Sequence, residues 1–124
     1  MKGIITTLTL LAIAISLSSN ANRMTEQFIP IGESPGISYK QTSVGIIDAI
    51  DQGNHEISLT DIDGLQKRYK VSDKTWIWLD KSKQGKSNTR GEFGNFKAEQ
   101  TVEVKPMQGQ PEQAEWVKIE QITH

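Results

Sequence analysis

The sequence contains no cysteine. That excludes disulfides, thiolate chemistry and cysteine zinc sites, and leaves packing alone to hold the fold. Histidine is scarce: only His55 and His124 occur, and His124 is the last residue, so there is no histidine cluster for zinc or copper. Neither sign of charge prevails, with 14 Lys and Arg against 15 Asp and Glu and a net charge of −1. A nucleic-acid-binding domain normally shows a basic footprint, and none is present. Signatures of catalysis are missing as well. There is no Gly-x-Ser-x-Gly elbow, and Gly85-Lys86-Ser87 lacks the spaced glycine of a phosphate-binding loop. Asp61, Asp63 and Gly64 match a fragment of a calcium loop, but the third acidic position and the distal Glu are missing. An Asp-Gly hairpin corner explains them. On these absences the expectation is a protein that is not an enzyme and takes no cofactor and no metal.

What is present begins with an address. Met1 and Lys2 give a short positive start, Ile4 to Leu17 carry no charge, and Ser19-Asn20-Ala21 offers small residues where a signal peptidase reads. The apolar stretch is shorter than the roughly 20 residues of a membrane span. The expectation is a signal peptide over 1–21 cleaved after Ala21, a periplasmic or secreted protein, and no stable membrane insertion afterwards. The remainder is enough for one domain and too little for two.

Residues 22–42 read as an extended arm, because Pro30, Gly32, Pro35 and Gly36 disfavour a helix and a central strand alike. Its Phe28, Ile29 and Ile31 are expected to pack on the domain or on a partner. From Ser43 to 124 the pattern is β. Val44 to Ile50 is rich in β-branched residues, Gly53-Asn54 and Asp63-Gly64 supply turns, and Ile57 and Leu59 alternate with Glu56, Ser58 and Thr60. A third strand runs from Leu65 to Val71, a fourth from Thr75 to Leu79. Asp80 to Gly91 reads as a solvated loop and Asn95 to Ala98 as a single helical turn. Thr101 to Lys105 turns Val102 and Val104 inward, Pro106 to Glu112 reads as a loop, and Ala114 to Ile122 is a last strand with Val117 and Ile119 on one face.

Taken in order, Gly45 to Ile50, Ile57 to Asp61, Asp63-Gly64, Tyr69-Lys70-Val71, Thr75-Trp76-Ile77, Phe96 to Val104 and Ala114 to Ile119 resemble a family of small secreted bacterial OB-like β-barrel domains of unknown function. Where that family has a Lys-Pro-Gly turn, Lys97-Ala98-Glu99 stands here. The resemblance implies an all-β fold, a five- or six-stranded OB-like antiparallel barrel, and brings no catalytic residues. An OB-like barrel does not by itself define a function.

Two surface features are candidates for binding. Trp76 and Trp78 are two apart on one strand and share a face, and Trp116 lies opposite Val117 and Ile119 on another. If Ile77, Leu79, Val117 and Ile119 line the core, the three indoles form an outward platform able to stack sugars or bases. The alternative is that the arm covers them or that Trp76 and Trp78 line the core. Lys81, Lys83, Lys86 and Arg90 form an uninterrupted positive loop suited to an oligosaccharide or other polyanion, or simply to solvent. The expectation is therefore a non-catalytic binding module. The alternative is a structural or assembly protein whose arm, through Phe28, Ile29 and Ile31, binds a partner protein or a second copy of itself.

Overall fold

A computed structural model describes residues 24–121. The expected signal peptide and its cleavage site, and Ile122 and His124, lie outside the described residues. Seven strands occur in the order β1 (Ser43–Asp51), β2 (Glu56–Asp61), β3 (Gln66–Lys70), β4 (Trp76–Asp80), β5 (Thr89–Arg90), β6 (Thr101–Met107) and β7 (Gln110–Glu120). Their spatial order is β3-β2-β1-β6-β7-β4-β5, and an additional β3–β7 pairing closes five of them into a barrel. The protein is all-β and OB-like, with β4 and β5 continuing the sheet beyond β7. Among the described residues no helix is long and apolar enough to cross a membrane.

Not every pairing is antiparallel. Both β3 and β4 run parallel to β7, β3 meeting it at Gln113 and β4 along Trp116 to Glu120. The cause is local: the bend between Val71 and Thr75 interrupts one path along β7 without reversing it. Thr75 Oγ1 secures the bend twice, accepting from Ser72 N at 3.0 Å and donating to the Ala114 carbonyl at 2.7 Å.

The core follows the predicted alternation. Ile57, Leu59, Val102, Val104, Val117 and Ile119 are all buried, joined by Ile47, Tyr69, Val71, Ile77, Phe96 and Ala114. Each large aliphatic side chain moved from water contributes about 1.5–3 kcal/mol. Phe93 packs on this cluster and on Phe96, and His55 stacks on Phe93 at 4.3 Å. Strand β1 takes up an extra residue, Asp48, between the Ile47–Leu59 and Ala49–Ser58 pairs, and this bulge bends the strand around the barrel. Gly45 allows the close approach nearby, since a Cβ there would sit 2.0 Å from the Thr60 carbonyl oxygen.

Three stretches differ from expectation. Pro106 to Glu112 is not a loop: β6 and β7 continue to a tight turn at Gln108-Gly109, with Met107 facing Gln110. Prolines are tolerated there because the register shifts on both sides of Pro106, where a ladder hydrogen bond is not demanded. The loop after Asp80 is partly ordered, with a 3-10 turn at Ser82–Gln84 and β5 returning to pair with β4. The single turn expected at Asn95–Ala98 lies slightly earlier, at Phe93–Asn95.

Candidate functional site: an arm-walled cleft

Residues before β1 wind through turns rather than running straight. A 3-10 turn spans Glu26–Phe28, and further turns close with Glu33 N donating to the Pro30 carbonyl and Ser38 N to that of Ser34. These residues lie against the outer face of β6 and β7, which explains an odd burial pattern. Val102 to Val104 and Trp116 to Ile119 are buried at every consecutive position. A strand buried at each residue must be covered on both faces.

The covered face is polar. Glu103 and Lys118 are cross-strand partners, and both are buried. Glu103 accepts from Gly32 N at 2.9 Å, Ser38 Oγ at 2.6 Å and Thr42 Oγ1 at 2.8 Å. Gly32 holds φ at 81°, a conformation that suits glycine and presents its N–H. Lys118 Nζ pairs with Glu26 at 2.6 Å and donates to Ser34 Oγ at 3.2 Å, while Ser34 Oγ donates to Glu26 at 2.5 Å. A buried charge is tolerated when its polar atoms are met: Lys118 and Glu26 form an ion pair, and Glu103 is held by three hydrogen bonds. Two further side chains hold the arm. Asn88 Nδ2 donates to the carbonyls of Glu26 and Ile29, and Asp80 accepts from Ile31 N.

The expected platform of three indoles does not form as one surface. Trp116 is 1% exposed, with Lys118 Nζ 4.9 Å from its ring centroid. Trp76 and Trp78 do share the face opposite Ile77, at a centroid separation of 5.7 Å, but Trp78 is only 3% exposed. Trp76 is half-buried and lies beneath Arg90, whose Cζ is 3.9 Å from its ring centroid and 5.7 Å from that of Trp78. The β4–β5 hairpin brings this about by placing Arg90 directly opposite Trp78.

Around them is a cleft of about 310 Å³, walled on one side by Met24 and Gln27 of the arm and on the other by Asn88, Thr89 and Arg90. The Trp78 indole nitrogen is buried without a hydrogen-bond partner among the described residues.

The basic loop does not converge. Lys83 pairs with Glu120 at 2.8 Å, a contact that raises the Lys83 pKa above its ordinary value. Lys81 precedes the Ser82–Gln84 turn, and Lys86 lines a separate depression with Phe28, Pro30 and Gly85. Of the arm's apolar residues, Ile29 and Ile31 are half-buried, whereas Phe28 is 70% exposed. Asp61 acts within its turn, accepting from Asp63 N and Leu65 N and pairing with Lys67 at 3.2 Å. The Leu65 N–H and the Lys67 ammonium lower its pKa. Among the described residues no group of three or more His, Asp or Glu is placed to hold a metal ion.

Glu26, Asn88, Glu103 and Lys118, and the cleft walls Met24 and Gln27, were not singled out from sequence. A charged residue between Val102 and Val104 and another between Val117 and Ile119 were visible. Their meaning depended on the β6–β7 register, which the misread loop concealed.

These features define a small OB-like barrel with one outer face sealed by its own N-terminal arm. No family model matches the chain, and no curated protein matches it. Among solved structures it is similar to a tryptophan-to-alanine variant of CusF from Escherichia coli with Cu(II), at 15% identity over 64% of this chain and 90% of that one, with a TM-score of 0.43. Ag(I) CusF gives 14%, 63%, 93% and 0.42 in the same terms, and apo-CusF from Escherichia coli 15%, 71%, 100% and 0.42. The fold assignment rests on the strand pairings themselves, and the ions of those structures belong to those proteins.

Proposed function

We propose that the chain is a non-catalytic binding module, secreted or periplasmic, that holds a ring-bearing ligand in the cleft at Trp76, Trp78 and Arg90. One observation carries this reading: two indoles, a guanidinium and an arm-derived wall converge on one partly enclosed space. Aromatic faces pack on sugar rings and on bases alike, and a single stacked base is worth about 1–3 kcal/mol. Lys81, Lys83 and Lys86 have no part in it, and Trp116 belongs to the sealed face.

Tryptophan fluorescence titrated with saccharide and oligonucleotide panels tests the reading. A saturable change that Trp76→Ala removes is the expected outcome, and silence toward every ligand in both panels would sink it. Acrylamide quenching of the free protein provides the baseline, with partial quenching expected from Trp76 and little from Trp78 and Trp116.

A second reading is favoured by Phe28 and Met24, which are 70% and 61% exposed on the same arm. Side chains so placed suit a partner protein or a second copy of the chain. Light scattering of the protein and of Phe28→Ser distinguishes the two copies' case: a dimer that the substitution dissolves supports it, and a monomer in both ends the self-association form.

A further inference from the structure

From the same cleft we infer that the ligand is an acidic sugar, its carboxylate received jointly by the Arg90 guanidinium and the Trp78 indole N–H. The inference rests on the reading of the cleft as a binding site and adds the class of ligand. Trp78 is 3% exposed, and its Nε1–H finds no acceptor among the described residues. A buried donor without a partner costs free energy that an arriving acceptor recovers once the Trp78 ring turns to meet it, since Nε1 is closed to solvent in the free protein. Arg90 stacks on Trp76, and no carboxylate of the described residues pairs with it.

Among the described residues the cleft lining contains Arg90 and no Asp or Glu, so the charge they give it is positive. That charge selects against a cation. Indole faces attract cations, but the face of Trp76 already holds one, and among the described residues Met24 is the only soft donor in the lining. A planar carboxylate matches the guanidinium fork, which can meet it with two parallel hydrogen bonds. The volume, about 310 Å³, suits a single ring and not an extended chain. Gln27 and Thr89 place an amide and a hydroxyl at the wall, where ring hydroxyls need partners.

Calorimetric titration of the whole protein with galacturonate, its neutral counterpart galactose and inorganic phosphate tests the inference, with Arg90→Gln and Trp78→Phe as variants. The acidic sugar is expected to bind about tenfold more tightly than the neutral one, the size of one charge-assisted hydrogen bond. Arg90→Gln should abolish that preference, and Trp78→Phe should reduce it severalfold. Arg90 sits on an exposed two-residue strand, so its variant folds and carries the test should Trp78→Phe prove unstable. Equal affinity for both sugars would overturn the acidic assignment and leave the cleft reading standing. Phosphate binding as tightly as the galacturonate would overturn the carboxylate, and silence of both sugars would overturn the acidic-sugar assignment, while the cleft reading falls only if the oligonucleotide panel is silent as well.

Discussion

Two outer faces of one sheet treat polar atoms in opposite ways. Over β6 and β7, Glu103 and Lys118 are buried, and the arm supplies Glu26, Gly32, Ser34, Ser38 and Thr42 to meet them. Beside it, over β4 and β5, Trp78 has a buried N–H with no partner among the described residues, and Arg90 has an aromatic ring where a carboxylate would serve. A sealed face holds its own partners; a face that lacks them is incomplete in a chemically defined way. The arm belongs to both, because Glu26 anchors it on one side while Met24 and Gln27, within two residues, wall the other.

The sharpest way to break this contrast is Lys118→Met. It leaves Glu26 buried without its cation, and removing one member of a buried pair typically costs about 3–5 kcal/mol. Urea unfolding should show a loss of that order, and Lys118→Met with Glu26→Gln should recover most of it, since two neutral side chains no longer strand a charge. A single variant that loses less than about 1 kcal/mol would mean that the arm is held by backbone contacts and the ion pair adds little.

Asn88→Ala comes next. It removes two donations to arm carbonyls at the border between the faces. Two hydrogen bonds of ordinary strength predict a loss of about 1–3 kcal/mol. The position of the loss matters more than its size. Hydrogen exchange should rise at Glu26 to Ile29 and leave β1 to β3 unchanged, whereas a uniform rise would show that arm and barrel open together.

The contrast also explains what could be read in advance. Alternation fixes which side of a strand is inside, so Ile57 with Leu59, Val102 with Val104 and Val117 with Ile119 were legible without a structure. Trp76 and Trp78 could be assigned a common face for the same reason. Alternation does not say what lies over the other face: the outward platform and a covered face were both open, and Trp116, 1% exposed, is covered. Arg90 stood in a stretch with no periodic pattern, so its meeting with Trp78 depended on a two-residue strand too short to signal itself. Pro106 and Pro111 read as a loop because proline opposes strands, and the shifts of register that admit Pro106 leave no mark in sequence.

Arg90→Gln should change the stability of the free protein very little. An exposed cation over an indole contributes about 0.5–1 kcal/mol, so thermal unfolding should move by a few degrees at most. That is the opposite of Lys118, although both cations lie near a tryptophan. A large loss would turn Arg90 into a structural residue and remove the reason to regard it as waiting for a ligand.

The smallest effects are expected from pH, and they lie away from both faces. Asp51 has its pKa lowered mainly by the Asn54 side chain and backbone, and Asp61 by the Leu65 N–H and by Lys67. A carboxylate with a lowered folded-state pKa contributes stability that is complete above its unfolded value, near 4, and is lost as pH falls through the folded value. Lys83, raised by Glu120, behaves in the reverse sense: its contribution is complete below the unfolded lysine value and is lost as pH rises through the folded one. Unfolding measured across pH should therefore be nearly flat around neutrality as far as these three groups are concerned, declining in acid and again in strong base. Asp61→Asn should flatten the acid limb without altering saccharide binding, because its hydrogen bonds close the β2–β3 turn and reach neither the arm nor the cleft. If that substitution weakened binding as well, the turn and the cleft would be coupled through the barrel, and the division into a sealed face and an open one would have to include a third region.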